Sequence, residues 1–200
     1  MKYILSTLAL AVASLATPVP EAVAPPAFKI NRVVSGGSGC PQGSIDIDYT
    51  NNAILPIYFG KEFTASVGAN VPIDQARKNC QINIDILYSP GYQVSVYSAD
   101  YSGWGDIDAG VKGWVKTIYY FSGETTQVSS TLNLPGPFTG RYTKHDDVVM
   151  TNWSPCGSEA MLNVNTEVAL SPIGKGEGVL AATRESARVQ SILYIKWRQC

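Results

Sequence analysis

Polar and apolar residues alternate along most of this chain, and that pattern limits the fold more than any other feature. Alternation with a period of two is typical of a β-strand with one buried face. It is clearest in six segments, namely residues 44–49, 81–88, 93–98, 115–121, 161–170 and 189–197. Weaker strand candidates lie near residues 54–59, 125–132 and 179–183.

Turn-forming residues separate these segments. Proline and glycine cluster at 89–91, 122–123, 135–137 and 174–178. The one helix candidate, residues 72–79, begins with a proline, which the first turn of a helix tolerates. Many short strands with frequent turns predict an all-β fold. We expect a disulfide-stabilised β-sandwich or jelly-roll-like domain with at most one short helix near 72–79.

Residues 1–16 have the pattern of a secretory signal peptide. Lys2 precedes an apolar run that ends in small residues, and this run is shorter than the ~20 residues of a membrane span. No later stretch is long enough either, so we expect no membrane span. Residues 17–30 are rich in proline and alanine and predict a flexible leader before a single β-sandwich domain over residues 31–200. The mature protein is therefore expected to be secreted and extracellular.

The four cysteines, Cys40, Cys80, Cys156 and Cys200, all follow the predicted signal peptide. An even number in an exported chain predicts two disulfides, for which three pairings are possible. We favour Cys40–Cys80 with Cys156–Cys200, because each bridge closes a loop of about 40 residues within one half of the chain. The second pairing also joins the start of one predicted strand to the end of another.

Composition argues against several kinds of partner. The chain has 15 basic and 16 acidic side chains and a formal net charge of −1, which gives no electrostatic footprint for nucleic acid. The cysteines are widely spaced and His145 is the only histidine, so the sequence predicts no zinc site. We expect no cofactor and, apart from the calcium alternative considered below, no metal.

Several short segments together resemble one protein family. They are G-S-G-C-P-Q-G-S, A-R-K-N-C-Q-I-N-I, Y-Y-F-S-G, W-S-P-C-G with N-V-N-T, and a terminal W-R-Q-C. In combination they are similar to the small secreted fungal proteins of the domain of unknown function 4360 family, from about Val33 to Cys200. The resemblance implies export, two disulfides and an all-β domain. It implies no established activity and no catalytic residues.

The glycine-rich stretch V-V-S-G-G-S-G-C-P-Q-G-S, residues 33–44, fits no catalytic loop. A phosphate-binding loop needs a lysine and a following helix, and both are missing. A nucleophile elbow needs a glycine where Cys40 stands. We therefore expect a sharp turn that leads into a disulfide.

Acidic and amide side chains occupy the polar positions of several predicted strands, although such residues are depleted in strands. They are Asp46, Asp48, Asn83, Asp85, Asn163, Asn165 and Glu167. If Cys40–Cys80 aligns two strand starts, Asp46 and Asp85 lie at similar heights. We hypothesise a polar face that binds Ca²⁺ or sugar hydroxyls, or that supplies a glycosidase-like carboxylate pair. The alternative is a solvated sheet face.

Two further segments carry candidate binding groups. Tyr101 and Trp104, between glycines and aspartates, predict an exposed loop that could stack on sugars, unless the rings pack into the core. Asp100, Asp106 and Asp108, in the same segment, do not have the spacing of a calcium loop. His145 is either a general base with no identified partner or a surface histidine.

Asn152 lies in the only N-x-[ST] site of the sequence, but the following Ser154-Pro155 lowers the chance of glycosylation.

The sequence favours a non-enzymatic extracellular binding protein, because no catalytic motif is assembled while disulfides and polar strand faces suit a durable module. Its expected partner is a polysaccharide or a host or competitor molecule. The alternative is a carboxylate-dependent polysaccharide hydrolase or lyase on a jelly-roll scaffold. A membrane-active toxin ranks last, since the chain has no basic amphipathic segment.

Overall fold

A computed structural model describes residues 25, 27–48, 53–147, 153–180 and 190–200. The predicted signal peptide and most of the predicted leader lie outside these residues. The described strands are β1 (Phe28–Gly36), β2 (Asp46–Ile47), β3 (Ile54–Tyr58), β4 (Ala65–Val67), β5 (Arg77–Ile107), β6 (Lys112–Phe121), β7 (Gln127–Pro135), β8 (Phe138–Asp146), β9 (Gly157–Ser171), β10 (Gly178–Leu180) and β11 (Gln190–Gln199). In the same residues no helix is long and apolar enough to span a membrane.

β5 is the longest strand and takes part in two layers. Its first arm, residues 77–88, pairs with β1 on one side and β9 on the other. Its second arm, residues 92–107, pairs with β11 and β8. The arms meet at Ser89, Pro90 and Gly91, where Gly91 has a φ of 85° that glycine adopts without a steric penalty. The hydrogen-bonded sheet therefore folds over on itself within one strand.

The two layers pack face to face as a sandwich. The first layer has the order β1-β5-β9-β6-β7, and the second has the order β2-β3-β11-β5-β8, with β10 joining β4 to the second arm. Side chains from opposite layers meet in the core, where the hydroxyl oxygens of Tyr101 of β5 and Tyr119 of β6 are hydrogen-bonded at 2.6 Å. The predicted all-β, disulfide-stabilised sandwich is confirmed.

The period-two pattern determines which side chains enter this core. In the first arm of β5, the even positions Ile82, Ile84 and Ile86 are fully buried, while Asn83 and Asp85 face outward. A strand with one packed face alternates in this way because successive side chains point to opposite faces of the sheet. The outward positions carry the candidate site described below.

Both predicted disulfides are present. Cys40–Cys80 joins the loop after β1 to β5, and its Cα atoms are 5.2 Å apart. Cys156–Cys200 joins the start of β9 to the end of β11, with Cα atoms 6.0 Å apart. The turn before Cys40 needs Gly37, because its φ is 133° and an added Cβ would lie 2.3 Å from the Asn79 carbonyl oxygen. Much of the glycine-rich stretch is thus a turn into the bridge, although residues 33–36 belong to β1.

The short helix expected near residues 72–79 is a 3-10 helix at Ile73–Gln75, and β5 starts soon after it at Arg77. Two other local predictions differ from the structure. β1 begins at Phe28, inside the range predicted as leader. The prediction of an exposed loop around Tyr101 is wrong, because β5 continues to Ile107. Its glycines serve close packing, since a Cβ on Gly103 would lie 2.4 Å from the Tyr142 hydroxyl oxygen.

Candidate functional site

The outer surface of the first layer carries a ladder of amide side chains, which we call the amide face. It consists of the outward residues of the first arm of β5 and of β9, namely Asn79, Gln81, Asn83, Asp85, Met161, Asn163, Asn165 and Glu167. The register places Asn83 opposite Asn163 and Gln81 opposite Asn165. The structure therefore brings five of the seven polar residues singled out from the sequence onto one surface.

Asn163 positions two groups at one end of the amide face. It is buried, with 2% of its surface exposed. Its Oδ1 accepts a hydrogen bond from Asn83 Nδ2, and its Nδ2 donates to Ser122 Oγ at 3.0 Å and to the Met161 carbonyl oxygen at 3.2 Å. A buried polar network with all its partners present is rigid. Asn83 and Ser122 are therefore held in place without a ligand.

The middle of the amide face is also linked by amide-to-amide hydrogen bonds, although Gln81 Nε2 is buried without a hydrogen-bond partner among the described residues. Asn79 Nδ2 donates to Asn165 Oδ1 at 2.7 Å, and Asn165 Nδ2 donates to Gln81 Oε1, also at 2.7 Å. Each amide donates to the next across the two strands. These bonds fix which side of each amide is an acceptor, so the hydrogen-bonding pattern presented to solvent is defined.

Glu167 ends the ladder as a paired carboxylate. Its Oε1 accepts from Trp114 Nε1 at 2.8 Å, and its Oε2 accepts from Arg77 Nε at 2.7 Å. Burial alone would raise the pKa of Glu167, but the hydrogen bonds from Trp114 and Arg77 outweigh it and leave the pKa below its ordinary value. A carboxylate that stays ionised in this way is suited to holding Trp114 in position rather than to donating a proton.

The end of the amide face that contains Asn83 and Ser122, far from Glu167, forms a depression of about 290 Å³. It is lined by Arg32, Val34, Asn83, Asp85, Ser122 and Met161. A guanidinium, an amide, a carboxylate and a hydroxyl meet there beside two apolar side chains. This volume is just below the range of about 300–1,000 Å³ for ligand pockets, and the lining has more polar side chains than such pockets usually have.

The two other predicted carboxylates lie elsewhere. Asp46 and Asp48 are exposed residues at β2, which pairs with β3 in the second layer. The expectation that Asp46 lies beside Asp85 is therefore wrong, because the bridge at Cys40 is followed by a crossing to the other layer. Asp85 and Glu167 share a face, but Asp85 pairs with Met161, six residues from Glu167. Six residues of strand span about 20 Å, whereas a glycosidase pair needs about 5–9.5 Å.

The predicted aromatic platform is divided by strand alternation. Tyr101 points into the core and is 2% exposed, so it is not available as a surface ring. Trp104 is half-buried on β5 in the second layer, opposite the exposed Arg141 of β8. An odd and an even position of one regular strand face opposite ways, so these two rings cannot form one site.

His145 has the partner that its sequence context did not identify. Its Nδ1 contacts Asp100 Oδ1, its Nε2 lies 3.1 Å from Asp147 Oδ1, and Tyr194 donates to Asp100 Oδ2 at 2.8 Å. The hydrogen bonds that the protonated ring donates to Asp100 and Asp147 raise the pKa of His145. Because both ring nitrogens face carboxylates, this histidine is suited to linking Asp100 and Asp147 as a protonated imidazolium and not to acting as a general base.

Metal binding has no support in the described part of the chain. No group of three or more His, Cys, Asp or Glu residues there is arranged to hold a metal ion. Asp106 instead accepts a hydrogen bond from Thr139 at 2.8 Å, and Asp108 accepts from the Glu177 backbone amide at 2.9 Å. Asn152 lies outside the described residues.

Two residues that line the depression carry no signal in the sequence. Arg32 lies on β1, where an irregularity breaks the alternating pattern. Ser122 follows β6 in what reads as an ordinary S-G turn. The N-V-N segment at 163–165 is the nearest signal, since two amides on one face of a strand are unusual.

Two solved structures resemble this fold at low similarity. The carbohydrate-binding module TmCBM61, solved in complex with β-1,4-galactotriose, is 8% identical with a TM-score of 0.31, and the match covers 86% of this chain and 91% of that one. The enzymatically active domain of bacteriophage CBA120 tailspike protein 4 is 11% identical with a TM-score of 0.23, over 86% of this chain and 19% of that one. Similarity at this level carries no inference about ligand or activity.

Similarity in sequence is much closer. An uncharacterized secreted protein of Arthroderma benhamiae is 36% identical over 179 residues, covering 88% of this chain and 73% of that protein. That relative and the two disulfides confirm the predicted secreted location. The model of the family described as domain of unknown function (DUF4360) matches residues 26–200. The chain therefore belongs to the DUF4360 family, as its cysteine-centred motifs indicate.

Proposed function

We propose that this protein binds an extracellular polysaccharide through the depression at the end of the amide face. One observation carries the proposal: Asn83 and Ser122 are positioned by the buried Asn163 and meet Arg32 and Asp85 around one concavity. Sugar rings present many hydroxyls, and each hydroxyl can donate and accept. Fixed amide, carboxylate and hydroxyl groups around a depression are suited to such a ligand.

Partly exposed rings on the neighbouring strand support the same proposal. Tyr120 of β6 is half-buried and is the direct cross-strand neighbour of Asn163. Trp114 lies on the same outward side of β6 and is held by Glu167. Flat apolar rings beside hydrogen-bonding groups are what a sugar-binding surface requires. A polysaccharide could therefore extend from the depression along the amide face.

Binding without hydrolysis fits this surface better than catalysis does. The two carboxylates of the amide face are too far apart to act as a glycosidase pair, and Glu167 is occupied by Trp114 and Arg77. The proposed function is therefore a lectin-like role outside the cell.

The test is a glycan array, followed by pull-down with cell-wall polysaccharides and an assay for released reducing ends. We expect binding with no release of reducing ends. Ser122→Ala should weaken binding by about two- to tenfold, the loss of one neutral hydrogen bond. The matched control is Ser129→Ala, an exposed serine of β7 outside the depression, which should bind like the wild type. No binding to any glycan, or equal effects of the two variants, would contradict the proposal.

A further inference from the structure

β1 contains a bulge directly beside the depression. Ile30 pairs with Ile86 and Arg32 pairs with Asp85, so Asn31 is an extra residue with no partner position on β5. At a bulge two residues of one strand oppose a single residue of the other, and bulges often re-aim side chains next to binding sites. Asn31 and Arg32 therefore both lie next to Asp85.

The Asp85 carboxylate is hydrogen-bonded by Asn31 and not by Arg32. Asn31 Nδ2 donates to Asp85 Oδ2 at 2.7 Å. Opposite charges on directly facing strand residues ordinarily attract each other, yet within the described chain Arg32 forms no ion pair with any carboxylate. Its exposed side chain lines the depression. The bulge thus leaves an unpaired guanidinium among hydrogen-bonding groups.

We propose that this guanidinium binds the carboxylate of a uronic acid residue, so that the ligand is an acidic polysaccharide. The inference rests on the proposed function and specifies its ligand. A guanidinium presents parallel N–H donors that match a planar carboxylate with two hydrogen bonds. Asn83 and Ser122, held by Asn163, are placed to bind the ring hydroxyls of the same sugar. The hydrogen bond from Asn31 orients the Asp85 carboxylate, and among the described residues Asp85 forms no ion pair with Arg32.

The acid and its methyl ester provide a matched pair of ligands. Oligogalacturonate, its methyl ester and a neutral galactan oligomer of the same length are titrated against the full mature protein by calorimetry. We expect the free acid to bind at least tenfold more tightly than the ester, since a charge-assisted bidentate pair is lost on esterification. Arg32→Gln should remove this preference, because it should weaken binding of the acid much more than binding of the ester. Arg141→Gln, an exposed strand arginine on the other layer, is the control and should behave like the wild type.

A second variant tests the part assigned to the bulge. Asn31→Ala releases Asp85, which can then pair with Arg32, so affinity for the acid should fall although Arg32 is still present. Both variants change exposed residues, and a melting curve verifies that each is folded. Unchanged acid binding by Asn31→Ala, or an equal loss of acid and ester binding by Arg32→Gln, would overturn the inference.

The outcomes also separate this inference from the proposed function. If the wild type binds the neutral oligomer or a sulfated glycan more tightly than the uronate, the uronate assignment fails and polysaccharide binding stands. If it binds no glycan at all, both fail.

Discussion

Lys144 and Asp146 are charged residues that point into the sandwich, and each side chain is 3% exposed. Their ion pair lies where β7 and β8, the outer strands of the two layers, come together without pairing. Asp146 Oδ1 accepts from Ser130 Oγ of β7 at 2.6 Å, and Tyr119 donates to Asp146 Oδ2 at 3.4 Å. Burial lowers the pKa of Lys144, and Asp146 offsets part of that effect. Side chains thus join the layers where backbone hydrogen bonds do not.

Removing one member of this pair should be costly. Lys144→Met leaves Asp146 buried without its cation, and the free energy of unfolding should fall by about 3–5 kcal/mol. The double variant Lys144→Met/Asp146→Leu removes both charges and should be much closer to the wild type. Urea denaturation followed by tryptophan fluorescence measures both. A single variant as stable as the double variant would show that the pair is not buried in solution.

The cluster around His145 should make stability depend on pH. The pKa of His145 lies above the ordinary 6.5. Its contribution to the free energy of unfolding is therefore complete below about pH 6.5 and is lost as pH rises through the folded-state pKa. Burial alone would raise the pKa of Asp100, but hydrogen bonds from His145 and Tyr194 lower it below the ordinary 3.8, so that contribution is lost only in acid. The cluster is therefore strongest between about pH 4 and 6.5.

Melting temperatures of the wild type and of His145→Gln at pH 5.5 and pH 8.5 check this. We expect the wild type to exceed the variant by more at pH 5.5 than at pH 8.5. The effect should be small, because His145 is exposed and in contact with solvent. A difference that does not change with pH would contradict the paired imidazolium.

At the scale of elements, the bend in β5 determines the layered architecture. The sequence predicts two strands on either side of an S-P-G turn, and the structure instead keeps one strand that changes layer at Gly91. Gly91 has a φ of 85°, and an added Cβ would meet nothing within 4 Å. Gly91→Ala should therefore destabilise through backbone strain alone, by about 1–2 kcal/mol.

Gly157→Ala is the matched control for that substitution. Gly157, at the start of β9, also has open space around its Cβ position, but its φ is outside the left-handed region. The alanine should be tolerated there. Urea midpoints of the two variants give the comparison, and equal midpoints would mean that the bend does not need glycine.

The sequence predicts strands where alternation is regular and does not predict them where it is broken. β6, β9 and the first arm of β5 follow the pattern closely. The pattern does not indicate β8, because Lys144 and Asp146 occupy inward positions where apolar residues are expected. In β1 the bulge at Asn31 shifts the alternation by one residue.

At the scale of the whole molecule, the candidate site joins strands that are distant in the chain. Alternation placed Asn83, Asp85 and Asn163 on a polar side, and the structure brings them to one face. Arg32 and Ser122 could not be predicted, because they reach the depression only through the pairing of β1 with β5 and of β6 with β9. Pairing partners depend on the packing of the complete sandwich and are not encoded in any local segment.

The location of the binding site is tested most directly by titrating isotope-labelled protein with an oligosaccharide that it binds and recording nuclear magnetic resonance spectra. Binding in the depression should concentrate the chemical-shift changes at Arg32, Asn83 and Ser122 on the first layer. Changes centred instead on Trp104 and His145, on the outer surface of the second layer, would contradict the proposed site.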